Sequence, residues 1–249
     1  MLFVAAFWRL DPFTAEVVHD YGFQNFRLLW ESDVYRTIAQ RTVLIAAAVT
    51  VTDAVLAFPI AFYMANVASP RTRNLLVVAI LLPLWASYLV KVYAWRVILQ
   101  EQGVLNWALS PLGLSGPGFG NVATWLVFSY LWLPFMILPV YAGLERIPSS
   151  LLEASADLGA HGGRTLRRIV FPLALPAIAA GSIFTFSLTL GDYITPALVS
   201  STQFIGNVVF INVGVANNLP FAAAFATVPV AVMVVYLLLA RRAGAFDSL

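Results

Sequence analysis

The sequence predicts an all-α integral membrane protein, and three observations support this fold class. Hydrophobic residues make up 61% of the 249 residues, whereas charged residues make up only 10%. A soluble domain with this composition would expose too much apolar surface to water. Five apolar stretches are long enough to cross the hydrocarbon core, which takes about 20 helical residues. None alternates apolar and polar residues over about 10 positions, as strands of a membrane barrel do.

The five predicted spans follow one another along the chain. The first, residues 42–67, is apolar except for Asp53, and the second, residues 75–99, carries Lys91 and Arg96 near its far end. The remaining spans contain no charged residue and cover residues 121–144, 173–191 and 221–240. We therefore expect one transmembrane domain over residues 1–249, with its membrane core at about residues 42–242.

Basic residues predict which loops face the cytoplasm. If five helices alternate, residues 69–73, residues 145–168 and the C-terminal end share one side and hold eight of the fourteen Lys and Arg residues. Loops rich in Lys and Arg stay inside, so we expect this side and the C-terminus to be cytoplasmic. Four arginines within residues 1–41, on the opposite side, count against this orientation.

The segments before and between the spans are shorter. Residues 1–8 are apolar but cover only about 12 Å as a helix, less than half of the core thickness. They are either the end of a first spanning helix whose beginning lies outside this reading frame or a segment at the outer interface. We favour the first alternative, in which residues 1–8 are the stub of a first spanning helix. Residues 22–30 predict an amphipathic surface helix, and residues 204–216 a short outer or re-entrant helix.

The composition excludes several kinds of chemistry. There is no cysteine, so disulfides and thiol catalysis are absent. The single lysine, Lys91, does not stand in a P-loop, so the chain is not expected to hydrolyse ATP itself. His19 and His161 lie on opposite predicted sides, which disfavours a zinc site or a Ser-His-Asp triad. We expect no cofactor and no nucleic-acid partner.

Residues 147–172 form the most informative segment. Pro148 followed by two serines favours a helix start, and glycines at 159, 162 and 163 favour its end. Helical spacing places apolar or small side chains on one face and polar side chains on another. The apolar or small set is Leu151, Ala154 or Ser155, and Leu158. The polar set is Glu153, Asp157 and His161. The helix either lies at the membrane surface or docks a cytoplasmic partner.

This segment resembles the EAA loop of bacterial ABC importer permeases, in which Glu-Ala-Ala, three residues, Gly, nine residues and Ile-x-Leu-Pro follow in order. The chain has Glu153-Ala154-Ser155, Gly159 and then Ile169-Val170-Phe171-Pro172 at that spacing. Ser155 and Phe171 depart from the pattern by small changes of size. The resemblance implies the type I importer permease fold, with residues 147–172 as a cytoplasmic coupling loop.

The same resemblance implies a docking role for particular residues. The coupling helix would seat in a cleft of a separate ATPase subunit, with Glu153 as a polar contact and Gly159 as the turn that leaves the cleft. The other docking residues would be Ala154, Ser155, Asp157 and Leu158. ATP and Mg²⁺ would belong to that ATPase partner.

Over about residues 21–242 the chain is similar to the spermidine/putrescine-type permeases, on residues 74–85, 89–95 and 190–196. This resemblance implies import of a polyamine by alternating access in the bacterial cytoplasmic membrane. It also implies a second, related but different permease subunit and an external substrate-binding protein. Membrane lipid would surround the assembly.

Ionisable residues inside spans are costly and often line a path for solutes. Asp53 lies near the middle of its span and Asp192 near the outer end of another, followed by Tyr193. These three residues are candidates for a polycation path. Asp53 could instead pair with a neighbouring helix or with Lys91 or Arg96, and Asp192 could cap a helix.

Three other functions stay open. The same machine could carry another small solute, because the external binding protein usually selects the cargo. A secondary transporter or channel would need its own ion site, often with inverted repeats, and no repeat is evident. A membrane enzyme would need a catalytic set that the sequence does not show.

Overall fold

A computed structural model of the chain describes residues 2–242. This part of the chain is helical apart from loops and one antiparallel pair of two-residue strands, β1 (Arg9–Leu10) and β2 (Val17–Val18). The helices are α1 (Leu2–Ala5), α2 (Gln24–Glu31), α3 (Asp33–Asn66), α4 (Pro70–Trp85), α5 (Tyr88–Leu99), α6 (Val104–Leu109), α7 (Asn121–Glu145), α8 (Ser149–Asp157), α9 (Gly162–Thr165), α10 (Phe171–Gly191), α11 (Ile194–Val199), α12 (Ile205–Gly214) and α13 (Leu219–Arg242).

Within residues 2–242, four helices are long and apolar enough to cross a membrane, and a bent pair supplies a fifth candidate span. The four are α3, α7, the continuous helix Gly162–Gly191 and α13, and the pair is α4 with α5. A π-helical stretch, Leu166–Val170, joins α9 to α10 without a break. The prediction of an all-α membrane protein is confirmed, and the five predicted spans correspond to four long helices and one bent pair.

The second span is not one continuous helix, as the apolar run 75–99 suggested. Helix α4 ends at Trp85, Ala86 is extended with ψ 141°, and α5 begins at Tyr88 after a bend of 92°. Pro83 lies in the last turn of α4, where its missing N–H removes a helical hydrogen bond. The break could not be predicted from the sequence, because the side chains on both sides of it are apolar.

The other helices largely follow the sequence. The surface helix predicted at residues 22–30 is α2, and the short helix predicted at residues 204–216 is α12. Helix α11 was not predicted. The first span begins at Asp33 rather than near residue 42, because Tyr35 and Ile38 of its added turns pack with α12 and α13.

The chain divides into two compact units, and each long helix contributes to one or both of them. The first unit comprises residues 2–48, 89–128 and 187–235, and the second comprises residues 49–88, 129–186 and 236–242. One core of the first unit consists of Ile38, Ile205, Val208, Phe221 and Phe225. The core of the second unit is formed by Ala57, Ala61, Met64, Met136, Ile137, Val140, Leu144, Val170 and Ala174.

Two expectations about the chain as a whole stay predictions. A single domain over residues 1–249 is one of them, and residues 1 and 243–249 lie outside the described part. The N-terminal stub is the other. It corresponds to the one-turn helix α1, after which Ala6 is buried against Ala223 and Ala224 in the first unit.

Candidate functional site

The predicted coupling helix is α8, and its C-terminal end has a well-defined turn. The Ala160 N–H donates to the Ser155 carbonyl at 3.0 Å, and the Gly159 N–H donates to the Ala156 carbonyl at 2.8 Å. Gly159 has φ +73°, so this is the left-handed turn that closes many helices and favours glycine. Gly162 and Gly163 do not end α8 as expected. They begin α9, since the chain re-enters a helix after His161.

Most of the predicted docking side chains point away from the protein. Glu153, Ala154 and Asp157 are exposed, and Leu158 exposes 88% of its surface. This exposed leucine directly follows the acidic Asp157. The outer face of α8 therefore mixes apolar and acidic groups, whereas the sequence placed them on separate faces.

Ser155 is the exception among the predicted docking residues. It is only 6% exposed, and its hydroxyl lies 2.8 Å from the Thr165 hydroxyl of α9. Leu152, which the sequence did not single out, packs against the core of the second unit together with Ile147 and Leu166. The inner face of α8 is thus anchored, and its outer face is presented on a rigid base.

Asp53 is the most unusual side chain of the second unit. It is fully buried in α3, and neither carboxylate oxygen makes a hydrogen bond to a described residue. The Ser129 hydroxyl of α7 faces it, yet that oxygen also lacks a hydrogen bond of normal geometry. No described residue forms an ion pair with Asp53. Burial of such a group is costly, so Asp53 stays a candidate for the solute path.

Asp192 and Tyr193 belong to the first unit and have a different environment. One Asp192 oxygen accepts hydrogen bonds from the backbone N–H of Ile194 at 2.7 Å and of Thr195 at 3.1 Å. The other accepts from the Thr195 hydroxyl at 3.1 Å. Asp192 therefore caps the N-terminus of α11, which was the alternative left open for it.

Helix α12 holds this capped turn in place. The Asn207 side-chain amide donates to the Tyr193 carbonyl at 2.7 Å, and the Tyr193 ring stacks on Phe210 with centroids 4.6 Å apart. Gly206 allows the approach, because a Cβ there would lie 2.8 Å from the Asp192 carbonyl oxygen. Sequence reasoning missed Asn207 and Phe210, whose partners are distant in the chain.

A cavity of about 350 Å³ adjoins Tyr193 within the first unit. Its polar and aromatic lining comes from Tyr93, Tyr193, Asn207 and Phe210, and the remaining lining is Leu89, Ile194, Ala197, Leu198 and Ile211. Aromatic faces attract cations, and the amide can accept or donate a hydrogen bond. Among residues 2–242, no cluster of three or more His, Cys, Asp or Glu side chains could hold a metal ion.

Residues 2–242 thus combine several apolar helices long enough to cross a membrane with an exposed helix between two of them. Residues 57–246 match the family described as the binding-protein-dependent transport system inner membrane component, and the chain belongs to this family. It is thus a permease subunit of an ABC importer.

Named relatives and a solved structure agree with this assignment. The chain is 48% identical to the inner membrane ABC transporter permease protein YdcU of Escherichia coli K12, over 98% of this chain and 82% of that protein. It is 29% identical to the spermidine/putrescine transport system permease protein PotB of Haemophilus influenzae, over 81% of this chain and 72% of PotB.

The solved structure is a bacterial alginate ABC transporter in complex with an alginate pentasaccharide-bound periplasmic protein. Its TM-score is 0.74 at 20% identity, and the match covers 88% of this chain and 81% of that one. At this identity the likeness concerns the fold, which is the type I importer permease fold.

Proposed function

We propose that this permease docks a cytoplasmic ATPase through the outer face of α8 and imports a polyamine. The observation that supports docking best is the division of α8 into an anchored inner face and an exposed outer face. Glu153, Ala154, Asp157 and Leu158 form the outer face, while Ser155 and Gly159 fix its shape. ATP and Mg²⁺ belong to the ATPase partner, and this chain carries no cofactor.

In this mechanism, the ATPase pair moves two spans of the permease at once. Helix α8 follows the end of α7 after three residues and leads through α9 into α10. A displacement of α8 therefore reaches both helices, and the transport path opens alternately to either side. The full machine contains a second, related but different permease subunit and an external binding protein. The C-terminus and α8 lie in the cytoplasm.

Two observations support a polyamine as the cargo. PotB of H. influenzae carries spermidine and putrescine in its name, and Asp53 offers a carboxylate without a partner in the second unit. A polycation is attracted by such a carboxylate and by aromatic faces such as Tyr193. Asp192 acts less directly, since its oxygens cap α11 and so position Tyr193.

A second cargo class is a neutral small solute. The cavity beside Tyr193 has no charged residue among its lining side chains, so its chemistry suits hydroxyl or amide groups as well as cations. The name of YdcU specifies no cargo. Titration of the cognate binding protein with spermidine and putrescine separates the two: saturable binding supports the polyamine, and no binding at millimolar concentration contradicts it.

Docking is tested by co-purification of the tagged chain with the products of its neighbouring genes in mild detergent. We expect an ATPase subunit to elute with the wild type and with Glu101→Ala, an exposed acidic control outside α8. The ATPase should be lost from Glu153→Ala and Gly159→Pro. A chain that purifies alone and still moves solute without ATP would instead be a secondary transporter or channel.

A further inference from the structure

Three side chains near the ends of α3, α4 and α7 form a polar cluster that the docking and transport roles do not use. Arg73 lies in the first turn of α4, Glu145 is the last residue of α7, and Tyr141 lies one turn before Glu145. All three belong to the second unit. We call this set the Arg73 cluster.

Arg73 binds the C-terminal end of α3. Its Nε donates to the Met64 carbonyl at 3.0 Å, and its Nη2 donates to the Ala65 carbonyl at 3.2 Å. Helix α3 ends at Asn66, so both carbonyls lack partners within their own helix. A guanidinium suits this position, because it carries several donors in a fixed plane and a positive charge at the negative end of a helix.

The third donor of Arg73 reaches α7. Nη1 lies 3.3 Å from Glu145 Oε1, and the Tyr141 hydroxyl donates to the same oxygen at 2.5 Å. The Arg73 and Glu145 side chains are 33% and 41% exposed, so their ion pair contributes little to stability. Its geometry matters more than its energy, since it fastens the end of α7 to the end of α3.

The end of α7 is also the base of the docking helix. Residues 146–148 separate Glu145 from the start of α8, and Ile147 and Leu152 pack in the same core as Met64. A displacement of α8 is therefore transmitted to Glu145 over a short, packed linker. From Glu145 it passes through Arg73 to α3, the helix that carries Asp53.

We infer that Arg73 is a positioning residue that transmits movement of the docking helix to α3. This inference rests on the proposal that α8 binds the ATPase. It predicts that loss of the Arg73 guanidinium uncouples α3 from the ATPase without preventing ATPase binding.

The test uses the purified complex of the full chain, trapped with a non-hydrolysable ATP analogue and followed by hydrogen–deuterium exchange. In the wild type, we expect protection of α8 by the ATPase and a nucleotide-dependent change in residues 60–68. In Arg73→Gln, α8 should stay protected, while the change in residues 60–68 falls by about tenfold, the lower end of the scale for one lost charge-assisted hydrogen bond. Arg73→Lys should restore little of this nucleotide-dependent change, because one ammonium group cannot replace the several donors of the planar guanidinium.

Arg71→Gln is the matched control, since Arg71 lies in the same first turn, is exposed and contacts no described residue through a hydrogen bond or ion pair. If Arg73→Gln does not assemble, Glu145→Ala decides, because it removes the acceptor of Arg73 Nη1 and leaves the two Arg73 bonds to α3 in place. An unchanged nucleotide response in residues 60–68 of Arg73→Gln, or of Glu145→Ala in its place, would overturn the inference. A wild-type chain whose α8 gains no protection from the ATPase would overturn the proposed docking itself, and the transmission role with it.

Discussion

At the scale of single residues, Asp53 is unusual in the environment of its side chain and Gly159 is unusual in its backbone conformation. Asp53 places a carboxylate in a core that offers it no hydrogen bond. Gly159 adopts a backbone conformation that other residues avoid, and nothing within 4 Å would obstruct a Cβ there. The first is a cost in solvation and the second a requirement of the backbone, so each predicts a distinct mutant phenotype.

Replacement of Asp53 should stabilise the protein and impair transport. Asp53→Asn removes a buried ionisable group at nearly constant volume, and we expect the free energy of unfolding to rise by about 1–2 kcal/mol. Spermidine uptake by reconstituted complexes should fall, since the polycation loses a carboxylate on its path. Thermal unfolding in detergent and uptake assays provide the two measurements. Ser129→Ala is the control that keeps the charge, and a less stable Asp53→Asn variant would contradict the prediction.

Replacement of Gly159 should weaken docking through the backbone alone. An L-residue at φ +73° costs about 1–2 kcal/mol, so Gly159→Ala should loosen the end of α8 and reduce ATPase affinity up to about tenfold. Gly163→Ala is the matched control, because Gly163 also has open space around it but no positive φ. Affinity is measured by titrating the ATPase subunit against the purified permease. Equal affinities for the two variants would argue against a role of the turn.

At the scale of helices, the approach of α12 to the turn before α11 depends on one missing side chain. A Cβ on Gly206 would lie 2.8 Å from the Asp192 carbonyl oxygen and 3.0 Å from the Tyr193 Cβ. The Asn207 bond and the Tyr193–Phe210 stack both require this distance. Packing of two short helices is thus determined at a single residue.

Gly206→Ala should therefore separate α12 from α11 and lower the free energy of unfolding by about 1–3 kcal/mol. Gly214→Ala, at the other end of the same helix, meets open space and should leave stability unchanged or slightly higher, because alanine favours helices. Thermal unfolding compares the two variants directly. A neutral Gly206→Ala would show that the contact is looser than the distances indicate.

At the scale of the whole molecule, the orientation in the membrane determines which surfaces can meet the ATPase. Helix α8 can meet a cytoplasmic ATPase only if it lies on the cytoplasmic side of the membrane. The distribution of arginines predicts this orientation. The chain contains no cysteine, so single cysteines report sidedness without background.

We expect Ser115→Cys to react with a membrane-impermeant maleimide in spheroplasts, whose inner membrane is intact, because residue 115 lies in a predicted outer loop and is exposed. Ser150→Cys, exposed in α8, should react only after the membrane is permeabilised. The cysteine-free parent is the control. The reverse labelling pattern would place α8 outside and exclude docking to a cytoplasmic ATPase.

The predicted fold and the predicted site were accessible from the sequence to different degrees. Apolar runs located all five spans, and the helix signals around Pro148 and Gly159 located α8. The same runs missed the break after Trp85, since both sides of it are equally apolar. The resemblance to the EAA loop made Ser155 a predicted docking residue, and packing turns its side chain inward toward Thr165.

The sequence by itself determined that the chain is an all-α membrane protein, where its apolar spans lie and where the helix α8 lies. Those features depend on hydrophobicity and local helix signals, which are properties of short stretches of chain. Only the tertiary structure decided that Arg73 joins Glu145, that Asn207 holds Tyr193 and that the Asp53 carboxylate makes no ion pair within residues 2–242. Each of those facts depends on which side chains meet across distant helices, and packing, not local propensity, selects them.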